Sequence, residues 1–358
     1  MAAYLVWFLL FALFLIVIPI GISPFEAPKV IIAEAGIDLL ILVKVIQFKR
    51  FRLRELYSPQ AILLGLILFL SLDQLLLFRA AEGFFGNPFR LQGLFLLWHL
   101  SLFSFISKGV NLSQIPKILY YLSFLFLVIV TLMLGVDENN RAFGSLGEPN
   151  ALAATTLFWL PFAFFKAKRL KKGLLALAFL IIALSGSRAG LVGFGVEAVF
   201  LSLTGLLRVS VFKAALISLV IVVLSISLPF TDPGERLENR SQIWQTALTA
   251  GLYSPVLGHG FGNIQAPLSE AAKNLNLPVQ YLVVDSSHNF ILDFWVQGGI
   301  VGVISLLTLI FLSFQGLIKH KKTLEITAFL GILAALLFNP LSVVNLLAFW
   351  WLIGQGFE

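Results

Sequence analysis

One polar motif in the sequence, Asp285–Asn289, contains the histidine best placed for proton transfer. Ser286 or Ser287 can cap the helix that the following apolar residues predict, so we expect His288 and Asn289 in the first turn of that helix. A neutral imidazole there could accept a proton from an attacking hydroxyl group. The simpler alternative is that both side chains only form hydrogen bonds with backbone groups of the loop. The position of the motif, taken alone, favours this simpler alternative.

Two arginines are candidates for binding an anion. Arg188 lies in a tight turn, Ser185–Gly190, between two apolar segments, and Arg240 lies at the start of a predicted loop helix. Arginine at membrane depth is costly without an anionic partner or water, and its planar guanidinium group suits phosphate oxygens, so a diphosphate would be a suitable ligand. The alternatives are an Arg188 side chain that extends to the membrane surface and a weak surface pair of Arg240 with Glu238 or Glu235.

Four other polar side chains are candidate substrate-binding residues. Arg90 follows a Gly-Asn-Pro turn, and Asn150 follows Pro149 at a predicted helix start. Asp293 lies four residues after Asn289, so these two share a helix face. Each feature, taken singly, is also typical of an ordinary turn or helix start.

The composition restricts the class of protein. Of the 358 residues, 59% are hydrophobic and only 12% are charged, whereas about one quarter of an ordinary soluble domain is charged. This composition excludes a large soluble enzyme. There are no cysteines, and no two of the four histidines have metal-ligand spacing, so we expect neither a zinc site nor a thiol nucleophile. The histidines are His99, His259, His288 and His320.

Long apolar segments predict the fold. A helix needs about 20 apolar residues to cross a bilayer, and twelve segments approach that length. We therefore predict an all-α fold, a polytopic transmembrane helical bundle of about 12 spans that forms a single domain over residues 1–358, with ten spans as the lower alternative. The candidate spans are 3–22, 29–47, 60–78, 91–107, 118–135, 149–165, 173–186, 189–206, 213–230, 288–314, 324–338 and 341–356.

Basic residues predict the orientation of this bundle. Sixteen of the 25 basic residues flank spans on one side. The positive-inside rule makes that side, and with it both termini, cytoplasmic. Much of the net charge of +7 is then a topology signal, and nucleic acid is not an expected partner. The sixteen are Lys49, Arg50, Arg52, Arg54, Lys108, Lys117, Lys166, Lys168, Arg169, Lys171, Lys172, Arg208, Lys213, Lys319, Lys321 and Lys322.

The opposite, exterior side carries one long loop, residues 231–287. Within it, Asn239–Leu248 and Pro267–Leu277 have apolar residues at helical spacing. They could form short amphipathic helices across the mouth of the bundle, with apolar faces toward the membrane or the protein. The glycine-rich stretch Gly258–Asn263 lacks the strand–helix context of a phosphate loop and is interpreted as a turn.

Carboxylates inside predicted spans are compatible with a transport function. Asp38, Asp73, Glu197 and Asp293 are such residues, and intramembrane carboxylates can couple proton or ion movement. A secondary transporter or lipid-linked-glycan flippase is therefore an alternative. The two halves of the sequence show no symmetry of the kind that transporters often have, which counts against it. A non-catalytic envelope scaffold is a third possibility.

Taken together, the motifs resemble the O-antigen ligase and polymerase superfamily. The resemblance extends from Gly86 to Gly302, with the motifs in the family's order. They are the early exterior turn Gly86–Gly93, the Pro-Asn helix start Gly144–Ala153, the Ser-Arg turn Leu184–Gly190, the loop segments Arg240–Trp244 and Ser254–Gly258, and the His-Asn helix Ser287–Leu292 with Gly298–Gly302. His259 in the glycine-rich stretch and the modest length of the chain depart from the family's pattern.

The resemblance implies a membrane glycosyltransferase of the C-type class, in the bacterial inner membrane, with its active site facing the periplasm. Such enzymes move a glycan from undecaprenyl diphosphate to a sugar hydroxyl, without metal or other cofactor. The acceptor is the lipid A core in ligases and a carrier-linked glycan in polymerases; the compact loop favours the ligase. By this resemblance Arg188 and Arg240, with Arg90, hold the diphosphate, His288 activates the acceptor, and Asn289 orients His288 or a sugar.

Overall fold

A computed structural model describes residues 1–19, 23–47, 58–78, 81–110, 112–166, 171–225, 240–277, 286–338 and 342–357. Fifteen α-helices lie in these ranges, where the only extended pairing is an isolated bridge between Val136 and Ala142. The all-α prediction is confirmed. The helices are α1 Ala2–Phe11, α2 Ala27–Gln47, α3 Pro59–Phe78, α4 Ala81–Phe85, α5 Leu94–Ile106, α6 Lys117–Met133, α7 Pro149–Lys166, α8 Lys171–Ser185, α9 Arg188–Gly205, α10 Val211–Ser225, α11 Arg240–Tyr253, α12 Gln265–Asn274, α13 Phe290–Lys319, α14 Thr323–Leu336 and α15 Val343–Gln355.

Two of the described helices, α9 and α13, are long and apolar enough to cross a membrane. Eight more apolar helices or helix segments are shorter, at 10–17 residues, so the number of twelve spans stays a prediction. The first predicted span, 3–22, is wrong as one continuous helix. Helix α1 ends at Phe11, a short 3₁₀ turn covers Leu13–Leu15, and the backbone is extended at Ile16.

Helices α14 and α15 form the centre of the bundle. Every residue from Ile326 to Leu336 and from Val343 to Gln355 is buried. Helices that are apolar on all sides are expected inside a large bundle. Aromatic rings fill the space around them: Trp351 lies edge-on to Phe158 with ring centroids 6.0 Å apart, and Phe158 stacks on Phe11 at 5.2 Å.

Four helices begin at the same end of the bundle. A Cβ atom at Gly190 would lie 2.6 Å from the Cβ of Ala153, so α7 and α9 run side by side from their first turns. At the start of α15, Asn345 accepts a hydrogen bond from Thr155 of α7 at 3.0 Å. At the far end of α15, Gln355 donates to the Ser107 carbonyl just after α5, at 3.2 Å. The starts of α5, α7, α9 and α15 therefore face the same side.

Helix α13 is broken at Gly299, where φ is 57° and ψ is −158°. A Cβ atom at Gly302 would lie 3.3 Å from the carbonyl oxygen of Phe294, although residues eight apart in a straight helix are separated by about 12 Å. The predicted tenth span, 288–314, is therefore wrong as one straight helix. Residues 300–319 make a straight segment of about 30 Å, which matches the hydrocarbon core. The first segment, 290–298, runs in a different direction from the straight segment, and several of its side chains line a polar cavity.

The long loop is described over residues 240–277, which we call the loop subdomain. It contains two helices, α11 and α12, where the sequence predicts them. They pack with the first segment of α13 around a small apolar core. The core residues are Ile243, Ala247, Ala250, Leu268, Ala271, Ala272 and Val296. Arg236 and Asp285, which also belong to the predicted loop, lie outside the described residues, and so does the side chain of Asp73.

Candidate functional site

Asn289 is the residue that caps α13. Its Oδ1 accepts hydrogen bonds from the backbone N–H groups of Ile291 and Leu292 at 3.0 and 3.2 Å, and its Nδ2 donates to the Leu337 carbonyl at 3.0 Å. The predicted cap, Ser286 or Ser287, is therefore wrong, because the amide of Asn289 serves the helix start and the end of α14 together. The predicted placement of Asn289 inside the first turn is wrong for the same reason.

His288 lies just before this cap and not in the first turn. Its φ is 55°, in the left-handed region that side chains other than glycine rarely adopt. Its backbone N–H donates to Oγ of Ser286 at 3.1 Å, and only 6% of the residue is exposed. Such strained positions persist where the surrounding structure fixes them, and they cluster at functional sites.

Ser287 and Asp293 fix the turn that carries His288. The backbone N–H and the hydroxyl group of Ser287 lie 2.7 and 2.6 Å from Oδ1 of Asp293. The sequence predicts Ser287 as a helix cap and not as a partner of Asp293. The serine–aspartate spacing of six residues, across a helix start, carries no recognised sequence signal for this pair.

A cavity of about 170 Å³ lies where the first segment of α13 meets the start of α5. It brings together two predicted binding residues, Arg90 and Asp293. Its other polar side chains are mostly amides, and aromatic rings form part of its wall. His288 is not among the described residues that line it, whereas Ser286, two positions earlier, is. The lining includes Gln92, Asn263, Gln265, Gln297, Phe261 and Trp350.

Arg90 links two of the sequence motifs. Its Nη1 lies 3.7 Å from Oε2 of Glu148, and both side chains are partly buried. Glu148 directly precedes Pro149 at the start of α7, so this ion pair joins the turn before α5 to the turn before α7. Arg90 is one of the binding residues that the sequence predicts, whereas Glu148 is not.

The glycine-rich stretch packs against the break in α13. Gln297 Oε1 accepts the backbone N–H of Gly262 at 2.7 Å, and the N–H of Gly260 donates to the Gln297 carbonyl at 2.9 Å. A ring nitrogen of His259 lies 2.8 Å from the Ala250 carbonyl. His259, which departs from the family's pattern, is thus tied to the backbone of α11, and the stretch is a turn as predicted.

Arg188 and Asn150 lie at the first turns of neighbouring helices. Ser187 caps α9 by accepting the Gly190 N–H at 3.1 Å, which makes Arg188 the first residue of the helix. The contact of Gly190 with Ala153 places this turn beside the first turn of α7, which contains Asn150. Both side chains are half-buried.

The turn before α9 is supported from outside by Arg141. A Cβ atom at Gly186 would lie 3.1 Å from Cγ and Cδ of Arg141. Arg141 in turn pairs with Asp137 at 2.8 Å. Partial burial acts to raise the pKa of the Asp137 carboxyl, but hydrogen bonds from the Arg141 backbone and side chain, the charge of that side chain and the N–H of Asn139 outweigh it and lower the pKa below 3.8.

Arg240 begins α11, which reaches the end of α14. The ring of Trp244, one turn after Arg240, lies 6.3 Å from the ring of Phe338. Phe338 follows Leu337, whose carbonyl oxygen receives the amide of Asn289. Helix α9 packs against α14 as well, so the elements that carry Arg188, Arg240 and His288 all meet α14 or the residues just after it. The convergence of the three side chains themselves stays a prediction.

A fully buried lysine, absent from the sequence candidates, holds the turn before α7. Lys29 Nζ donates to the carbonyl oxygens of Phe25 and Ser145 at 2.6 and 2.7 Å. Its neighbour Glu26 accepts the Val343 N–H at the start of α15, at 3.1 Å. The starts of α2, α7 and α15 are thus joined by two charged side chains.

Besides Asp293, two carboxylates of the transporter alternative are described. Glu197 is buried in α9 against Gly331, and neither of its oxygens has a hydrogen-bond partner in the part of the chain that the structure describes. Asp38 Oδ1 lies 3.4 Å from Nε2 of His99. Within those same ranges, no group of three or more His, Asp or Glu residues is placed to hold a metal ion.

Two described helices that are long and apolar enough to cross a membrane indicate insertion into a membrane, and the polar cavity is part of the candidate site. Residues 173–307 match a family model described as O-Antigen ligase, which supports the O-antigen ligase superfamily for this chain and confirms the resemblance seen in the sequence. The matched segment contains Arg188, Arg240 and His288; Arg90 and Asn150 lie before it. No curated protein matches the chain.

Proposed function

We propose that this protein is an O-antigen ligase-like glycosyltransferase. It moves a glycan from undecaprenyl diphosphate to a sugar hydroxyl of the lipid A core, at the periplasmic face of the bacterial inner membrane. The observation that carries the proposal is the family match over residues 173–307, because this segment contains the three residues with proposed chemical roles, Arg188, Arg240 and His288.

In the proposed reaction, the oxygen of the acceptor hydroxyl forms a bond to the anomeric carbon of the donor sugar. The bond from that carbon to the diphosphate oxygen breaks, and its electron pair leaves with the diphosphate. His288 receives the proton of the hydroxyl group. Arg188 and Arg240 stabilise the negative charge that builds on the leaving group, and guanidinium groups fixed before the reaction lower this barrier most.

The burial of His288 supports its role as the base. A residue that is 6% exposed and held at a φ of 55° has few orientations to choose from. Fixed geometry of this kind raises the rate of a proton transfer between positioned groups. Ser287 and Asp293 act as positioning residues in this scheme, because they hold the turn and not the substrate proton.

The cavity beside Asp293 supports an acceptor-binding role for its walls. Amide side chains such as Gln92 and Gln297 can both donate and accept hydrogen bonds, as sugar hydroxyls require. The rings of Phe261 and Trp350 give the apolar surface on which the face of a sugar can pack. Arg90, paired with Glu148 at the rim, would meet an anionic group of either substrate.

The test is transfer by the purified protein in lipid nanodiscs, with an undecaprenyl diphosphate-linked glycan, a lipid A core acceptor and no added metal. The joined product is detected by a gel shift. We expect His288→Ala to abolish transfer, while His320→Ala, at the exposed far end of α13, leaves it unchanged. Equal activity of the two variants would refute the assigned base.

The proposed binding of diphosphate by arginine is tested with two arginine-to-lysine variants. Lysine keeps the charge but loses the planar fork that binds two phosphate oxygens. Arg188→Lys should therefore strongly reduce transfer, and Arg208→Lys, at the exposed opposite end of α9, should not. Longer carrier-linked chains in place of joined lipid A core would identify a polymerase of the same superfamily. Absence of both products, with loss of substrate movement in Glu197→Gln, would favour the transporter.

A further inference from the structure

The loop subdomain exposes apolar side chains along one edge. Leu248 and Leu252 in the second half of α11 are 52% and 65% exposed, and Val256 and Leu257 in the following turn are also exposed. These four residues, which we call the apolar edge, lie within a stretch of ten residues. Contiguous apolar surface of this kind usually marks a contact with a membrane or another molecule.

The apolar edge continues into the surface of α13 that faces outward. Backbone N–H groups of Ile300 and Val301 donate to the carbonyls of Pro255 and Val256, at 2.9 and 3.3 Å, so the turn is bonded to the start of the straight segment 300–319. From Ile300 onward this segment exposes one stripe of large apolar residues at helical spacing. The stripe is Ile300, Ile304, Leu307 and Phe311.

Two aromatic residues border the apolar edge. Tyr253 is half-exposed, and its hydroxyl group accepts a hydrogen bond from Asn274 at 3.0 Å. Trp295 is partly exposed and donates its ring N–H to the Leu248 carbonyl at 3.1 Å. Tyrosine and tryptophan with a bonded polar end and an apolar body are enriched where a membrane meets water.

The rest of the loop subdomain presents polar residues. On α11, Ser241 and Gln245 lie on the same face as Leu248 and Leu252 but nearer the start of the helix, and both are exposed. The exposed positions of α12 are also mostly polar, including Ser269, Glu270, Lys273 and Asn274. The exposed face of α11 therefore changes from polar at the start of the helix to apolar at its end, next to α13.

We infer that the apolar edge inserts into the surface of the lipid bilayer, at the level where α13 enters the membrane. The lipid is favoured over a protein partner because the edge is continuous with the apolar stripe of a helix that can span the membrane. The insertion would hold the turn 258–263, and with it one wall of the cavity, at the membrane surface. This inference does not depend on the proposed reaction.

The chain contains no cysteine, so single cysteines can be introduced without other changes. Leu252→Cys carries an NBD fluorophore in phosphatidylethanolamine–phosphatidylglycerol nanodiscs, with a doxyl-labelled phospholipid as the quencher in the bilayer and iodide as the quencher in water. Gln245→Cys, on the same face of the same helix, and Glu270→Cys, on α12, are the controls. A Leu248→Cys variant repeats the test at a second position of the edge.

We expect the labels at residues 252 and 248 to show blue-shifted emission, loss of fluorescence with the doxyl lipid and little response to iodide. The labels at 245 and 270 should respond in the opposite way. Iodide quenching at 252 equal to that at 245 would overturn the inference. Protection at 252 from both quenchers would also overturn it, because the edge would then be covered by protein, either a second copy or a partner.

Discussion

Ser287 directs two donors, its backbone N–H and its hydroxyl group, at one oxygen of Asp293, at 2.7 and 2.6 Å. A carboxylate that accepts two bonds from one residue fixes both the backbone and the side chain of that residue. Because His288 is the next residue, the orientation of the candidate base depends on a side chain of the helix that follows.

Removal of either partner should destabilise the turn by a similar amount. We expect Ser287→Ala and Asp293→Ala each to lower the free energy of unfolding by about 1.5–3 kcal/mol, as for hydrogen bonds to charged groups. The double variant should lose little more than the worse single variant, because the two act on one interaction. Thermal unfolding in detergent measures this, and fully additive losses would show that the two residues act separately.

Lys29 should stabilise the fold through the two carbonyl oxygens that it binds. Lys29→Met keeps the length of the side chain but leaves the Phe25 and Ser145 carbonyls without their donor, which costs about 1–3 kcal/mol. The melting temperature should fall, and glycan transfer should fall with it because the turn before α7 loses its support. The control is Lys273→Met on the exposed face of α12. Equal melting temperatures for the two variants would contradict the role of Lys29.

The break in α13 should tolerate only glycine. Gly299 has a φ of 57°, and a Cβ atom there would meet the backbone of Val256. We expect Gly299→Ala to cost about 1–3 kcal/mol. Gly195→Ala is the matched control, because Gly195 lies in α9 with nothing within 4 Å of a new Cβ atom. That change should be neutral or stabilising. Similar unfolding temperatures for both variants would argue against the break.

Acid should weaken the support of the turn before α9. The pKa of Asp137 is lowered in the folded protein by Arg141. The ionised pair therefore stabilises the fold fully at a pH above 3.8, the ordinary pKa of the carboxyl group. That contribution is lost as the pH falls through the lowered pKa. Asp137→Asn should remove this part of the acid dependence. Melting curves between neutral and acidic pH compare the two proteins, and unchanged acid sensitivity of the variant would refute the assignment.

The sequence was sufficient to predict the helical class, because long apolar runs without strand alternation allow few other folds. It also predicted the two helices of the loop subdomain from the spacing of their apolar residues. It did not predict the break at Gly299, since hydropathy makes one span of the segment 288–314, in which Gly298 and Gly299 lie. The early end of α1 was missed for the same reason, because hydropathy measures composition and not backbone geometry.

Three of the four residues from 286 to 289, namely Ser286, Ser287 and Asn289, are good helix caps, so local propensity could not choose among them. Contacts outside the motif decide which residue caps the helix. Asp293 accepts hydrogen bonds from Ser287, and the Leu337 carbonyl accepts one from Asn289.

The sequence by itself therefore determined the residue types of the candidate site and the helices that carry them. Only the tertiary structure decided which of them meet. Arg90 reaches Glu148, and Lys29 reaches Ser145 from 116 positions away. The physical reason is that a buried charge must find oxygen or nitrogen partners wherever packing offers them, and packing among helices is set by shape and not by distance along the chain.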